Sequence, residues 1–155
     1  MDLRMIRVAQ DLRNFTANPT EGISCRPRVN DVLDVLIAQM KGPEGTPYES
    51  GTFKLEIHIP EKYPFEPPHV KFITPIMHPN IDNSGRICMD LLKMPPKGEW
   101  RPTITLVSLL LAIRSLLAEP NPDDPLMMDI AMEYKLDPER FKRNAREHTE
   151  NNAKA

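Results

Sequence analysis

The chain has 155 residues, a length that fits one domain and leaves little room for a second. Its 20 Lys and Arg residues against 22 Asp and Glu residues give a net charge of −2, which excludes the basic footprint of a protein that binds nucleic acid or a membrane surface. No apolar run reaches the roughly 20 residues of a membrane helix, and the first residues lack a signal-peptide core. We therefore expect an intracellular protein. Its 2 cysteines are too few for a disulfide scaffold, and reducing conditions would keep them as free thiols.

Residues 3–16 are predicted to form an amphipathic helix. Apolar residues at helical spacing define its core face, namely Met5, Val8, Ala9, Leu12 and Phe15. The polar positions are Arg7 and Asn14 opposite this face and Arg4 and Asp11 on a flank. Leu3 and Ile6 fall outside the apolar stripe. They are either isolated surface hydrophobes or, together with the two arginines, part of a face that binds a partner protein.

Four β-strands are predicted after this helix, at residues 22–28, 33–40, 52–59 and 69–73. Apolar and polar side chains alternate most clearly in the third strand, where Phe53, Leu55, Ile57 and Ile59 share one face. The connections are short and contain several of the 17 prolines, which we interpret as rigid loop corners. Short connections favour an antiparallel meander, because parallel pairing needs a long crossover.

The second half of the chain is predicted to contain a long loop and three helices. Residues 74–102 show no sustained period, and so long a loop in a small domain is usually functional. The almost entirely apolar residues 104–118 predict a central buried helix, followed by helices at 126–134 and 138–151, the last one capped by Asp137. These elements predict an α+β fold with one domain over residues 1–151 and a short polar tail at 152–155.

Several short motifs in the irregular segments are distinctive. They are Tyr-Pro-Phe-Glu-Pro-Pro at 63–68, His-Pro-Asn at 78–80, Gly-Arg-Ile-Cys at 85–88, Trp100 with Pro102, and Pro-Asn-Pro-Asp-Asp-Pro-Leu at 120–126. In this order and spacing they make residues 1–151 resemble the ubiquitin-conjugating enzymes. The long segment at 91–102, together with 53–56 and 60–68, is similar to the T-type members, which act in Fanconi anaemia DNA cross-link repair. Met77 departs from the aromatic residue that is common before His-Pro-Asn.

The resemblance implies a ubiquitin-conjugating fold and acyl transfer through a cysteine. Cys88 is expected to accept the C-terminal carboxyl of ubiquitin as a thioester, which a substrate lysine then attacks. Asn80 is expected to donate its amide to the oxyanion of that step, to brace the loop backbone, or both. Asp124 and Asp90 are expected to orient the lysine and ease its loss of a proton, with a structural role in the turn as the alternative for Asp124. The resemblance gives His78 a structural role in the loop.

The resemblance also implies surfaces for partner proteins. The surface for a RING ligase is expected to consist of Arg4, Arg7, Lys62, Pro64, Phe65, Arg101 and Pro102. Leu111, on the central helix, is expected either to contact the bound ubiquitin or to belong to the core. Lys93 lies 93 − 88 = 5 positions after Cys88 and is a candidate for self-modification. Cys25, within a predicted strand, is interpreted as structural.

No cofactor is expected, because the histidines are scattered, the two thiols are not a Cys-x-x-Cys pair and no phosphate-binding loop is present. ATP is used upstream by the activating enzyme. The implied partners are ubiquitin, the activating enzyme, a RING ligase (the Fanconi anaemia core ligase) and a substrate lysine, with monoubiquitination as the outcome. We expect a monomer, located in the nucleus and cytoplasm, that binds neither nucleic acid nor membrane. The alternatives are a carrier for another ubiquitin-like protein, a non-catalytic ubiquitin-binding variant, and a cysteine hydrolase that pairs Cys88 with His78.

Overall fold

The computed structural model describes residues 2–154, and its elements follow the predicted order. The helices are α1 (Leu3–Ala17), α2 (Leu106–Ala118), α3 (Met128–Leu136) and α4 (Pro138–Asn152), with a short 3-10 helix at Asp90–Leu92. The strands are β1 (Ile23–Val29), β2 (Val32–Lys41), β3 (Thr52–His58) and β4 (His69–Phe72). The predicted α+β class is confirmed.

The four strands form one antiparallel sheet in the order β1-β2-β3-β4, as the short connections predict. One face of the sheet is buried, and β3 shows why: Phe53, Leu55 and Ile57 are fully buried, whereas Lys54 between them is exposed. A strand turns successive side chains to opposite faces, so the alternation in the sequence fixes which face meets the core.

Helix α2 forms the other wall of the core. Its residues Leu106, Leu109, Leu110, Ile113 and Leu117 are buried and belong to the same hydrophobic cluster as the inner face of the sheet. The helix begins after Thr105, whose hydroxyl accepts a hydrogen bond from the backbone N–H of Ser108 and caps the first turn. The prediction of a central buried helix is confirmed.

Helix α1 packs against α2, β1 and β2, but its polar residues differ from the expectation. Asp11 was expected on a flank and is instead buried, where it accepts hydrogen bonds from Arg7 and from the hydroxyl of Tyr63. Arg7 was expected opposite the core, and its guanidinium instead donates to the backbone carbonyls of Pro102 and Ile104. The prediction failed because the apolar periodicity of a helix does not show which polar residues form a buried ion pair. The i, i+4 spacing of Arg7 and Asp11 is nevertheless typical of an ion pair on a helix.

The segment 74–102 is ordered rather than a free loop. Ile76, Ile81 and Trp100 are buried in the main core, and short bridges join Ile81 to His78 and to Ile87. Gly85 makes the chain's return toward β4 possible, because it has a φ of +89° and a Cβ there would lie 2.0 Å from the carbonyl oxygen of Phe72. The segment therefore presents its polar residues from a fixed frame.

The end of the chain packs on the sheet. Asp137 caps α4 through a hydrogen bond from the N–H of Arg140, as predicted. Within the predicted tail at 152–155, Ala153 is buried and its carbonyl accepts from the N–H of Thr52 at 2.8 Å, so the described part of this segment contacts the domain; Ala155 lies outside the described residues. Across residues 2–154, no helix is both long and apolar enough to span a bilayer.

Candidate active site

Cys88 lies at the edge of a surface groove of about 250 Å³, after the bridge that joins Ile81 to Ile87. The groove is lined by Cys88, Met89, Asp90, Leu91, Glu99, Leu116, Asn121 and Asp124. The backbone N–H of Cys88 donates to the carbonyl of Asn80 at 2.9 Å, which ties the cysteine to the His-Pro-Asn segment. The residue is half-buried, so its sulfur has both a fixed position and an open side.

Two side chains of opposite charge flank the Cys88 sulfur. The thiol donates to Oδ2 of Asp124 at 3.4 Å, and Nζ of Lys93 donates to the sulfur at 3.6 Å. Burial and the Asp124 carboxylate raise the pKa of the Cys88 thiol, and the Lys93 ammonium partly opposes them. The thiol is therefore held in its protonated form at neutral pH, and the sulfur has an amine on one side and a carboxylate on the other.

Lys93 owes its position to the turn that follows the 3-10 helix. Its N–H donates to the carbonyl of Asp90, and its own carbonyl accepts from the N–H of Trp100 at 3.0 Å. Gly98 packs so closely against this turn that a Cβ would lie 2.2 Å from the Lys93 carbonyl oxygen. The extended segment at 91–102 thus folds back on itself and directs the amine of Lys93 to the sulfur.

Asn80 is buried, and its side chain holds the segment that carries Asp124. Its Nδ2 donates to the carbonyls of Asn121 at 2.8 Å and Asp124 at 3.1 Å, while its Oδ1 accepts from the N–H of Asn121 at 2.8 Å. Both amide hydrogens are therefore engaged by backbone oxygens. This geometry matches one of the two roles expected for Asn80, that of bracing the loop backbone. For Asn80 to donate to an oxyanion, one of these hydrogen bonds would have to break.

His78 is buried in the scaffold, and both of its ring nitrogens bond to the backbone rather than to Cys88. Its Nδ1 accepts from the N–H of Asn80 at 2.9 Å, so its Nε2 carries the proton and donates to the carbonyl of Leu116 at 2.8 Å. Burial lowers the pKa of His78 to about 4, and the ring is neutral at physiological pH. A general base must reach the proton that it removes, so this arrangement argues against a Cys88–His78 hydrolase.

The acidic residues around the groove have separate contacts. Asp123 forms an ion pair with Lys135 at 3.0 Å, whereas Asp124 is the one that meets the thiol. Asp90 lines the groove with an exposed side chain, and its backbone carbonyl accepts from Lys93 and Glu99. Sequence spacing alone could not distinguish Asp123 from Asp124, because the choice depends on the turn.

The residues expected to bind a ligase lie together, but they differ in how far their side chains are exposed. Phe65 is 63% exposed, and Lys62, Arg101 and Pro102 are exposed as well. Pro64 is partly buried, and its carbonyl accepts from the indole N–H of Trp100 at 3.0 Å.

The guanidinium groups of the two arginines are already occupied. Arg4 donates to the carbonyls of Ile59 at 2.7 Å and Pro60 at 2.9 Å and pairs with Asp34. Arg7 pairs with Asp11 and donates to two backbone carbonyls, as described above. Arg4 and Arg7 therefore anchor α1 to neighbouring loops, and the freely exposed part of this surface is centred on Phe65.

The remaining candidates belong to the interior or its margin. Leu111 is partly buried against the core, which leaves both of its predicted roles open. Met77 also packs against the core, and its carbonyl accepts from the hydroxyl of Tyr48 at 2.6 Å. Burial and the nearby Asp11 raise the pKa of Cys25 to about 12, which fits an inert thiol. Among the described residues, no cluster of His, Cys, Asp and Glu has the geometry of a metal site.

Comparison with known proteins agrees with this geometry. The family model of ubiquitin-conjugating enzymes matches residues 7–149. The chain is 53% identical over 151 residues to ubiquitin-conjugating enzyme E2 T of Bos taurus, covering 97% of this chain and 77% of the bovine one. It is 51% identical to the E2 T proteins of Homo sapiens and Danio rerio, with coverage of 97% of this chain and 76% and 77% of theirs.

A solved structure supports the same assignment. The fold superposes with a TM-score of 0.90 on the crystal structure of a chain described as a ubiquitin conjugating enzyme from Plasmodium yoelii, at 36% sequence identity and with 100% and 98% of the two chains covered. Members of this family are transferases that carry ubiquitin as a thioester and need no cofactor of their own. The chain belongs to the ubiquitin-conjugating enzyme family.

Proposed function

We propose that Cys88 is the residue on which this enzyme carries ubiquitin, and that Asp124 receives the attacking lysine. The arrangement around the sulfur supports this proposal, because the Lys93 amine reaches within 3.6 Å and the Asp124 carboxylate within 3.4 Å of the same atom. A lysine amine therefore fits beside the sulfur, and the Asp124 carboxylate contacts the same sulfur from another side. A thioester is reactive toward amines, so proximity and deprotonation are what the site has to supply.

The reaction has two balanced steps. In the first, the Cys88 sulfur attacks the thioester carbonyl that joins ubiquitin to the activating enzyme, the old C–S bond breaks, and the Cys88 proton passes to the departing thiolate. In the second, the neutral amine of the substrate lysine attacks the thioester carbonyl, and the Cys88 sulfur leaves as an isopeptide bond forms. Asp124 accepts the proton that the lysine ammonium gives up, and Asp90, exposed in the same groove, helps to orient the lysine chain.

The test is a charging assay with ubiquitin, activating enzyme and ATP. The wild type should form an adduct that thiol reducing agents remove, Cys88→Ala should form none, and the matched variant Cys25→Ala should charge like the wild type. A wild type that stays uncharged, or a Cys88→Ala variant that still forms the labile adduct, would contradict the proposal. Replacing ubiquitin and its activating enzyme by another ubiquitin-like pair tests the alternative carrier function.

The cellular role that we propose is monoubiquitination in DNA cross-link repair with a RING ligase, the Fanconi anaemia core ligase, in the nucleus and cytoplasm. Its support is the sequence identity of about half to vertebrate E2 T proteins together with the extended segment at 91–102. Phe65 and the exposed residues around it form the proposed ligase surface. The test is lysine discharge with and without that ligase, which should accelerate the wild type and not Phe65→Ala.

We also propose that Lys93 is modified by the ubiquitin on Cys88. The neutral amine would attack the thioester carbonyl, an isopeptide bond would replace the C–S bond, and the proton of the amine would pass to the departing Cys88 thiolate. Mass spectrometry of a charged sample should find an isopeptide on Lys93 that Lys93→Arg abolishes. If the modification occurs on other lysines and never on Lys93, this part of the proposal is wrong.

A further inference from the structure

Helix α3 carries a row of exposed apolar side chains. Met128, Met132 and Leu136 are 65%, 48% and 75% exposed, and they follow one another at i, i+4 and i+8, which places them on one face of the helix. Leu126, 39% exposed, extends the row just before the helix. We call these four residues the α3 stripe. Ala131, on the core side of the same helix, is buried, whereas the stripe leaves a large part of its apolar surface open to solvent.

The α3 stripe adjoins the proposed active site. Lys135 lies three residues after Met132, on the same side of the helix, and its ammonium pairs with Asp123 at 3.0 Å. Asp123 is the neighbour of Asp124, which contacts the Cys88 sulfur. At the other end, the N–H of Leu126 donates to the carbonyl of Pro79, inside the His-Pro-Asn segment. The stripe thus begins where the acceptor lysine is expected and leads away from it.

Charge and side-chain type indicate what would cover the stripe. Asp124, Asp90 and Glu99 in the groove and Asp129 on α3 carry exposed carboxylates. Of the nearby lysines, Lys93 contacts the Cys88 sulfur and Lys135 is offset by Asp123, so the margin keeps an excess of negative charge. A segment with net positive charge therefore fits this margin better than an acidic one. Two of the four stripe residues are methionines, whose flexible side chains adapt to differently shaped apolar partners.

Resting on the proposed function, we infer that the α3 stripe docks the polypeptide segment of the substrate that carries the acceptor lysine. The segment places large apolar side chains on Met128, Met132 and Leu136 and its lysine at Asp124. The nine residues of Met128–Leu136 span eight helical steps, which rise roughly 12 Å along the helix. An amphipathic segment of two to three turns therefore matches the stripe. Docking raises the local concentration of one lysine at the thioester without contacting the reacting atoms.

The experiment uses a synthetic probe with the whole 155-residue chain. The probe is a basic amphipathic peptide of about 18 residues, roughly 27 Å long as a helix, with one lysine near its end, arginine as its other basic residue and three leucines at i, i+4 and i+8. A matched peptide has serine in place of the leucines. The Cys88 thioester is formed first, and single-turnover transfer to each peptide and to free lysine is then measured without a ligase.

The wild type should modify the leucine peptide roughly tenfold faster than the serine peptide, which corresponds to burial of about one large apolar side chain. The triple variant Met128→Ser/Met132→Ser/Leu136→Ser should lose this preference while it charges and discharges to free lysine normally. The control Val29→Ser/Val32→Ser, which alters exposed valines at the turn between β1 and β2, should keep the preference. Equal rates for both peptides, or a preference that survives in the triple variant, would overturn the inference.

A second measurement is independent of ubiquitin transfer. Titration of the uncharged protein with the leucine peptide should shift the methyl signals of Met128 and Met132 selectively, and the serine peptide should not. If the triple variant instead abolishes a self-association that sedimentation detects in the wild type, the stripe is a contact between copies and the inference is wrong. Failure of charging itself would refute the proposed function and not only the docking surface.

Discussion

The role of Asn80 can be tested by removing its side-chain amide. Asn80→Ala eliminates three hydrogen bonds to the backbone of residues 121–124 and leaves a small cavity, since Asn80 is buried. A typical intramolecular hydrogen bond contributes about 0.5–1.5 kcal/mol. Asn121 and Asp124 are exposed residues, so water replaces part of what they lose. We therefore expect the free energy of unfolding to fall by about 2 kcal/mol, below the simple sum of three bonds.

The assay combines urea unfolding with single-turnover discharge of the thioester to free lysine. Asn83→Ala, at an exposed position of the neighbouring turn, is the matched control and should change neither quantity. A pure brace and a pure oxyanion donor give different results. The brace lowers stability and slows discharge together, because Asp124 loses its tether. A pure donor would slow discharge by roughly 10²–10³-fold with stability unchanged, and that combination would refute the brace.

Three further predictions concern titration and anchoring. The free energy of unfolding of the wild type should fall by roughly 3 kcal/mol between pH 6.5 and pH 4. The pKa of His78 is about 4 in the fold and 6.5 in the unfolded chain, so the unfolded chain binds a proton in this range that the folded protein does not. Urea unfolding at several pH values should show this slope, and His78→Asn should lack it. Asp124→Asn should lower the pKa of the Cys88 thiol and Lys93→Gln should raise it, as measured by the pH profile of iodoacetamide alkylation in a Cys25→Ala background; identical profiles would contradict the assigned contacts. Arg7→Ala should destabilise the fold by about 3 kcal/mol, because it leaves the buried Asp11 carboxylate without its cation. Thermal or urea unfolding measures this loss, and an unchanged midpoint would show that Arg7 does not anchor α1.

Regular periodicity made most of the fold predictable. The alternation in β3 indicates which residues are buried, and the near-absence of polar residues in α2 predicts a helix covered on most sides. Asp137 followed by Pro138 marks the start of α4 to the residue. These signals are local in the chain, because a period of two residues in a strand or 3.6 residues in a helix does not depend on which element packs against it.

Contacts between distant segments could not be predicted in the same way. Asn80 and Asn121 are separated by 41 positions and meet only because the loops before and after α2 converge. The guanidinium of Arg7 finds acceptors in carbonyls 95 and 97 positions away. Backbone acceptors carry no sequence signature, so a polar side chain that binds them looks like a surface residue until the fold is known.

Under the proposed function, the two charges at the Cys88 sulfur serve both halves of a carrier reaction. In the free enzyme the thiol donates its hydrogen to Asp124, and a raised thiol pKa keeps the sulfur protonated and unreactive toward other electrophiles. Once ubiquitin acylates the sulfur, that hydrogen is gone and Oδ2 of Asp124 loses its donor. The carboxylate then becomes free to accept a proton from a lysine ammonium beside it. With Cys88 as the proposed carrier, charging frees one acceptor site on Oδ2 of Asp124, so Asp124→Asn should slow discharge to free lysine while Cys88 still charges.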